Sequence, residues 1–341
     1  MSKIGILTFY FADNYGAVLQ CLALQEKMKQ FGCDVEIIKY KPFQMITWKS
    51  RLKQLVMKTP QQKVFQAFRD ERFILGGTDS EYDCIVVGSD QVWNPNIIRY
   101  DDFWFTPKVK YKHICSYAAS FGKANFQHEE SDFIGKQKYA FQTYDVLTVR
   151  EETGKSVLNT LGINSEVVCD PTLLYYNDVD FYKRLSHCSK LKAEKSLENR
   201  YILVYSLEKS EEIDRISQKI KNETGYSIVS LHPMNSQTQK CDLFISDTDP
   251  YDFLYLIEHC ETIVTNSFHG LAFSFIFRKK VYCINHSSLS SRQSELIAKS
   301  GFLTDTMSEN VVCVDCNQDN KRLTEYIDSS FSKLHEIIKT S

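Results

Sequence analysis

The sequence predicts an α/β protein with two domains, each built on a mainly parallel sheet. Its 341 residues are about twice the length of a typical single domain. Short β-rich runs alternate with helical stretches, which is the pattern of parallel strands joined by crossover helices. The runs fall into two series, and between them residues 187–200 are polar and rich in Lys and Glu, as in a linker or an exposed helix.

The first series starts with a predicted strand over 3–9. An amphipathic helix is predicted over about 16–31, because apolar residues such as Leu19, Leu22 and Met28 recur at helical spacing. Gly32 marks the expected end of this helix. Further strands are predicted over 34–40, 83–88, 113–118 and 145–149.

The second series predicts strands over 201–205, 227–231, 243–246, 261–265 and 280–284. Helices are predicted over about 210–222 and 251–259, and from 268 onward. The stretch 323–338 is amphipathic and is expected to pack back across the first domain.

Composition narrows the class of protein. A formal net charge of −2 argues against a nucleic-acid partner, which would require a large basic surface. Eleven cysteines in no framework spacing are typical of a reducing compartment, and neither a signal peptide nor a long apolar run is recognisable, so we expect a cytoplasmic protein. Cys313 and Cys316 form a single CxxC motif without a second pair, which is too weak a pattern to predict zinc. Asp247-Thr-Asp249 is interpreted as a turn and helix cap, so no metal site is expected.

Ligands of doubly wound sheets bind at the carboxyl ends of the strands, so the segments that follow the strands are the candidate sites. Asn14, Tyr15 and Gly16 follow the first strand and open a helix, where free N–H groups can bind an anion or a hydroxyl-rich ligand. A capped turn explains the same residues equally well.

The segment 88–95 combines polar side chains with an aromatic residue and a proline. Ser89, Asp90 and Asn94 could select sugar hydroxyls, and Trp93 could stack on a pyranose ring. The alternative is a well-capped loop in which Trp93 anchors the core.

Two further strand exits carry charged or titratable groups. Arg150 can clamp a carboxylate or phosphate through parallel N–H donors, or it can form a surface ion pair with a neighbouring glutamate. His269 lies in the first turn of a helix, where the dipole disfavours imidazolium and leaves a ring that can accept and later return a proton. Asn266, Ser267 and Gly270 surround it in sequence; a capped helix with a packed histidine is the alternative.

A basic segment precedes the third predicted strand. Residues 41–72 hold eight basic and two acidic residues with apolar residues between them. Such a segment can lie on an anionic membrane surface, although a solvated helix or flap is the more common outcome.

Taken in order, these segments resemble the polysaccharide pyruvyl transferase family. The resemblance runs through Asn14-Tyr-Gly-Ala, Gly88-Ser-Asp-Gln-Val-Trp-Asn-Pro, Val149-Arg-Glu, Cys169-Asp-Pro-Thr-Leu-Leu, Asn266-Ser-Phe-His-Gly-Leu-Ala and Ser290-Ser-Arg, and it covers roughly residues 3–300. Each motif alone is weak, but the ordered set is specific.

The resemblance implies a fold like that of GT-B glycosyltransferases, with two Rossmann-like domains that face a cleft. Residues 1–185 would form the acceptor side, residues 200–320 the donor side, and residues 321–341 a helix that packs back. Phosphoenolpyruvate would be the co-substrate, with no further cofactor. The product would be a cyclic pyruvate ketal on two hydroxyls of a sugar. The sugar would belong to a capsule, exopolysaccharide or cell-wall glycan precursor. Whether this acceptor is lipid-linked, which would place the protein at the inner face of the membrane, stays open.

The resemblance also implies that Arg150 and His269 are catalytic. The remaining roles are our own interpretation of the residues: we expect Asn266, Ser267, Gly270 and Arg292 to bind the donor. The acceptor would be bound by Asn14, Tyr15, Gly16, Ser89, Asp90, Trp93 and Asn94.

The sequence departs from the family pattern at Ser267, where some branches carry an arginine. Either Arg292 or Arg278 completes the phosphate site, or the donor pocket differs. Two other functions are consistent with the same residues, namely a nucleotide-sugar glycosyltransferase of the same architecture and a non-catalytic glycan-binding protein.

Overall fold

Two mainly parallel sheets organise the chain and confirm the predicted α/β class. The computed structural model describes residues 1–40, 59–123, 125–237, 239–284 and 290–341. In these ranges the first sheet has five strands and the second has seven. Both have the strand order of doubly wound sheets, in which the chain starts near the middle and reverses its direction of winding.

The first sheet has the order β3-β2-β1-β4-β5, with all neighbours parallel. Its strands are β1 (Lys3–Leu7), β2 (Asp34–Ile38), β3 (Leu75–Gly76), β4 (Glu81–Val87) and β5 (Lys110–Ser116). Parallel bridges at Val146 and Val149 continue it to β6 (Thr148–Val149), which pairs with β7 (Glu166–Val167). The predicted strand over 145–149 is therefore only two residues long as a regular strand.

The second sheet has the order β10-β9-β8-β11-β12-β14-β13. Its parallel strands are β8 (Tyr201–Tyr205), β9 (Ser227–Leu231), β10 (Leu243–Ile245), β11 (Thr262–Thr265) and β12 (Lys280–Ile284), close to the predicted bounds. An antiparallel edge that the sequence analysis did not predict is formed by β13 (Thr304–Ser308) and β14 (Val311–Val314).

Twelve helices lie in the described ranges, besides short 3₁₀ turns. They are α1 (Tyr15–Gln30), α2 (Pro60–Arg72), α3 (Pro95–Ile98), α4 (His128–Lys136), α5 (Lys138–Phe141), α6 (Glu152–Thr160), α7 (Asp180–Ser186), α8 (Glu211–Thr224), α9 (Pro250–His259), α10 (Phe268–Ile276), α11 (Ser290–Ser300) and α12 (Lys321–Thr340). The predicted linker, 187–200, contains two 3₁₀ turns.

Helix α8 shows how directly the sequence specifies a surface helix. Ser210 caps its start and Gly225 ends it at φ 75°. Ile213, Ile216 and Ile220 form its buried stripe.

Helix α1 differs from the predicted amphipathic helix. Of its 16 residues, 13 are buried, so it has no broad solvent face. It packs on the first sheet and also contacts α9 and the 3₁₀ turn Pro171–Tyr175. Because α1 is enclosed by these elements, its start is held firmly at the carboxyl edge of β1.

The C-terminal helix α12 contacts the first half of the chain. Ser330 Oγ accepts a hydrogen bond from the Cys169 N–H at 2.8 Å. The rings of Phe31 and Phe331 meet edge to face, and Lys333 pairs with Glu166. The last helix thus braces the strand exit at Cys169.

Part of the predicted basic segment forms α2, which packs inward. Phe65 and Phe68 are buried, Gln61 Nε2 donates to the Thr248 carbonyl at 2.7 Å, and Arg72 bonds Tyr251. Residues 41–58, the rest of the segment, lie outside the described residues. None of the helices in the described ranges combines the length and apolar character that crossing a bilayer requires.

Candidate functional site

The carboxyl ends of the two sheets meet, and the loops that leave them form one site. His269, which follows β11 of the second sheet, lies against Gly16, which follows β1 of the first. The same histidine approaches Asp170, which follows β7. Three separate segments therefore converge where the fold class places ligands.

Arg150 lies at the centre of this junction and is buried. Its Nε donates to Glu151 Oε1 at 2.8 Å and its Nη1 to Asp170 Oδ2 at 3.0 Å, and the Phe268 ring lies 4.8 Å away. Burial disfavours the charge, but Glu151 and Asp170 outweigh it and raise the pKa of Arg150. Its Nη2 is buried and has no hydrogen-bond partner among the described residues. One donor of the guanidinium thus remains available to a ligand.

Asp170 connects the arginine to the histidine. Its Oδ1 accepts hydrogen bonds from the N–H and the hydroxyl of Thr172, and its Oδ2 accepts one from Ser89 Oγ at 3.3 Å. Burial alone would raise the pKa of Asp170, but His269, Arg150 and the Thr172 N–H together hold it well below its usual range. The carboxylate is therefore ionised although it is fully buried.

His269 lies in the first turn of α10, as predicted, with 12 % of its side chain exposed. Its Nε2 is 3.6 Å from Asp170 Oδ2, an ion-pair separation rather than a hydrogen bond, and has no hydrogen-bond partner among the described residues. The ring thus lies between the buried Asp170 carboxylate and the start of α10.

Arg292 is the second buried cation of the site. It lines the same small cavity as Arg150, Asp170 and Phe268, and its Nε has no partner among the described residues. Burial, and then the charge of Arg150, lower the pKa of Arg292. Arg278, the other candidate for the phosphate site, pairs with Asp319 and is not part of this cavity lining.

Three predicted acceptor residues lie close to these groups. Gly16 faces the His269 ring, and Ser89 is fully buried under Asp170. Asp90 is partly exposed, has φ 78°, and contributes negative charge near Arg150 and Arg292. Asn14 is half-buried and caps α1 by accepting the Ala17 N–H.

Trp93, Asn94 and Tyr15 correct the sequence analysis. Trp93 is 0 % exposed and donates through Nε1 to the Trp104 carbonyl, so no face of its ring is open to a sugar, and the core-anchor alternative holds. Asn94 is almost buried and caps α3. Tyr15 is 0 % exposed, stacks on Phe253 and shares a 2.5 Å hydrogen bond with Thr248. Burial removes these side chains from direct sugar contact.

The residues around His269 are engaged in local structure. Asn266 Oδ1 accepts the Leu207 N–H, and Ser267 caps α10. Gly270 packs so closely on Thr265 that an added Cβ would lie 2.4 Å from Thr265 Oγ1.

Asp249 caps α9, as the predicted turn and cap require. Cys313 and Cys316 are buried free thiols.

Asp170 is the main residue that the sequence analysis did not assign a role. It comes shortly after a strand and directly before a proline, so the strand-exit rule used for Arg150 also applies to it. The sequence analysis assigned Glu151 no role beyond a possible surface ion pair with Arg150, whereas the structure shows a buried carboxylate, with 3 % of its side chain exposed, at the base of the site.

Gly16→Ala tests the contact between the two halves of the site. The added Cβ would lie 2.0 Å from His269 Nδ1, so the ring must move away. We expect the free energy of unfolding to fall by about 1–3 kcal/mol, as in other overpacked sites, and the ring to leave Asp170. Urea unfolding measures the loss. Gly135→Ala in α4 is the control, because among the described residues no atom outside its chain neighbours and its own helix backbone lies within 4 Å of the added Cβ. An equal effect of both substitutions would contradict the prediction.

The fold and the site together define a GT-B-like protein, with two Rossmann-like domains and a polar site where their sheets face each other. The family model for polysaccharide pyruvyl transferase matches residues 14–288. The chain therefore belongs to the polysaccharide pyruvyl transferase family, a family of transferases, as its motifs predicted.

Comparison with solved structures supports the fold alone. S. aureus MnaA, in a co-structure with UDP, is 13% identical and aligns over 100% of this chain and 92% of its own with a TM-score of 0.51. UDP-GlcNAc 2-epimerase from Neisseria meningitidis, bound to UDP-GlcNAc, is 11% identical over 100% and 94% of the two chains with a TM-score of 0.49. No functionally curated protein matches the sequence.

Proposed function

We propose that the protein transfers the pyruvyl group of phosphoenolpyruvate to two hydroxyls of a sugar and forms a cyclic ketal. The observation that carries the proposal is the convergence of His269, Asp170, Arg150 and Arg292 at the junction of the sheets. Membership of the family agrees with it. Acceptors would be precursors of capsule, exopolysaccharide or cell-wall glycans.

The cations suit the donor, which carries a carboxylate and a phosphate. Arg150 Nη2 and Arg292 Nε are buried N–H donors without partners among the described residues. Leaving such donors unpaired is costly, so a bound anion would stabilise the site. Glu151 and Asp170 hold Arg150 in place through Nε and Nη1, and its Nη2 stays without a partner among the described residues.

The reaction needs two kinds of proton transfer. A proton added to C3 of the donor turns its vinyl group into a methyl group and leaves C2 electron-poor. One sugar hydroxyl bonds to C2 and loses its proton, the C2–O bond to phosphate breaks with its electron pair, and the second hydroxyl closes the ring and loses its proton. One released proton balances that added at C3, and the other goes to the departing phosphate.

His269 is the group that we assign to proton transfer. Its Nε2 faces Asp170 and has no hydrogen-bond partner among the described residues, so it can exchange a proton with a substrate. Asp170 acts through His269 and Arg150 as a positioning residue, since its oxygens are occupied by other protein groups. Ser89 donates a hydrogen bond to the Asp170 carboxylate. Asp90 and Asn14 are partly exposed and remain candidates for acceptor binding.

Donor binding and product formation test the proposal together. Thermal shift is measured with phosphoenolpyruvate and, separately, with UDP-, GDP- and CMP-sugars, because a ligand of the folded state raises the melting temperature with concentration. Incubation with phosphoenolpyruvate and sugar acceptors is then assayed for phosphate release and for the ketal by mass spectrometry. A shift with phosphoenolpyruvate together with a ketal product is expected.

Other outcomes would reject the proposal. A shift only with a nucleotide sugar, followed by glycosyl transfer, would make the protein a glycosyltransferase. Sugar binding without turnover of any donor would make it a glycan-binding protein.

Adding anionic vesicles to the sugar-binding assay would test whether a lipid-linked acceptor brings residues 41–72 to a membrane surface.

A further inference from the structure

We propose that the start of α6, with Arg150 and Arg292, forms a phosphate-binding subsite that the Glu295 carboxylate occupies in the free protein. The subsite rests on the proposed function, because the phosphate would be that of the donor. Glu295 would then be an internal competitor that the donor must displace.

The start of α6 has the properties of an anion site. The helix has nine residues and begins directly after Arg150 and Glu151, and no side chain of its own N-cap residue bonds its first turn. Such helix starts carry free N–H groups and a partial positive charge. Here the Glu152 N–H donates to Glu295 Oε2 at 2.8 Å. The Glu295 carboxylate of α11, 143 residues further along the chain, therefore accepts the hydrogen bond that a bound anion would accept at this helix start.

Two buried cations point to a ligand independently of the helix. Arg150 Nη2 and Arg292 Nε are both buried and have no partner among the described residues, and both arginines line the cavity that Glu151 and Glu295 also line. Arg292 is 9 % exposed, so water gives its Nε little compensation. A phosphate can accept hydrogen bonds from several such donors at once.

The size of the cavity explains why Glu295 must move. The cavity volume is about 10 Å³, which is about the space that one water requires and much too small for a phosphate. Lys299 lies one turn further along α11, pairs with Glu152 Oε1 at 2.8 Å and also lines the cavity. Displacing Glu295 would therefore make room for the anion while leaving a third cation, Lys299, beside it.

Inorganic phosphate is the probe that tests the subsite. Its affinity is measured by isothermal titration calorimetry, in buffer free of other oxyanions, for the wild type, Glu295→Gln and Glu223→Gln. Glutamine keeps the shape of Glu295 and an oxygen that can accept the Glu152 N–H, so the fold is retained while the competing negative charge is removed. Glu223→Gln makes the same change in net charge at the exposed end of α8.

Glu295→Gln should bind phosphate about fivefold to tenfold more tightly, the size of the difference between a charge-assisted and a neutral hydrogen bond. Glu223→Gln should bind as the wild type does, and Arg292→Gln should bind more weakly. Unchanged or weaker binding by Glu295→Gln overturns the inference, as does equal binding by every variant.

The outcome is separable from that of the proposed function. Tighter phosphate binding by Glu295→Gln without ketal formation by the wild type would support the subsite and reject pyruvyl transfer. Ketal formation with unchanged phosphate affinity in Glu295→Gln would support pyruvyl transfer and reject the role of Glu295.

Discussion

His269→Ala should reduce turnover by about 10²–10⁴-fold, the contribution usually made by a general acid–base group. The reason is geometric. The Nε2 of His269 lies 3.6 Å from the Asp170 carboxylate and has no hydrogen-bond partner among the described residues. Phosphate release from phosphoenolpyruvate in the presence of acceptor measures the rate. Donor affinity should change little, because the buried arginines remain.

The matched control is His128→Ala. His128 lies in α4 with 88 % of its side chain exposed, and it pairs with Asp132 on the same helix. Its removal should leave turnover unchanged. If His269→Ala turns over as fast as the wild type, His269 does not transfer the proton and its assignment as the catalytic residue is wrong.

Arg150→Ala should lower the free energy of unfolding by about 3–5 kcal/mol, the cost of breaking a buried ion pair from one side. The side chains of Arg150, Glu151 and Asp170 are 2 %, 3 % and 0 % exposed, so the substitution leaves two carboxylates without their shared cation and without water. Urea unfolding at neutral pH measures the loss. The effect on stability should therefore appear even without a ligand.

Arg200→Ala is the control for this prediction. Arg200 also pairs with a glutamate, at 3.4 Å, but its side chain is 68 % exposed. Exposed pairs contribute about 0–1 kcal/mol, so this substitution should change stability little. An equal loss for the two variants would mean that the ion pairs of Arg150 do not support the fold.

The same prediction has a pH dependence. The pKa of Asp170 in the folded protein lies below its usual range, so its stabilising contribution is complete at pH values above the unfolded value of about 3.9. The contribution is lost as the pH falls through the folded value. The stability difference between the wild type and Arg150→Ala should therefore narrow on acidification below about pH 4. A difference that stays constant through this range would argue against an ionised Asp170.

Local patterns in the sequence predicted much of the fold. Helix α8 is the clearest case, because its cap, its apolar stripe and its terminal glycine are all local features. The antiparallel edge of β13 and β14 was not predicted, since it depends on pairing with β12. Similarly, nothing local distinguishes α1, which is buried on nearly all sides, from a helix with one solvent face.

The sequence by itself determined the α/β class, the order of most of the parallel strands along the chain, the family and the nomination of Arg150 and His269, because strand-exit position and motif order can be read locally. Only the tertiary structure decided what these residues contact. It buried Trp93 and Tyr15 in the packed interior and brought Asp170 between Arg150 and His269. The physical reason is that burial and ion pairing depend on which strand exits meet, and residues as far apart in sequence as Asp170 and His269 meet only when the two sheets face each other.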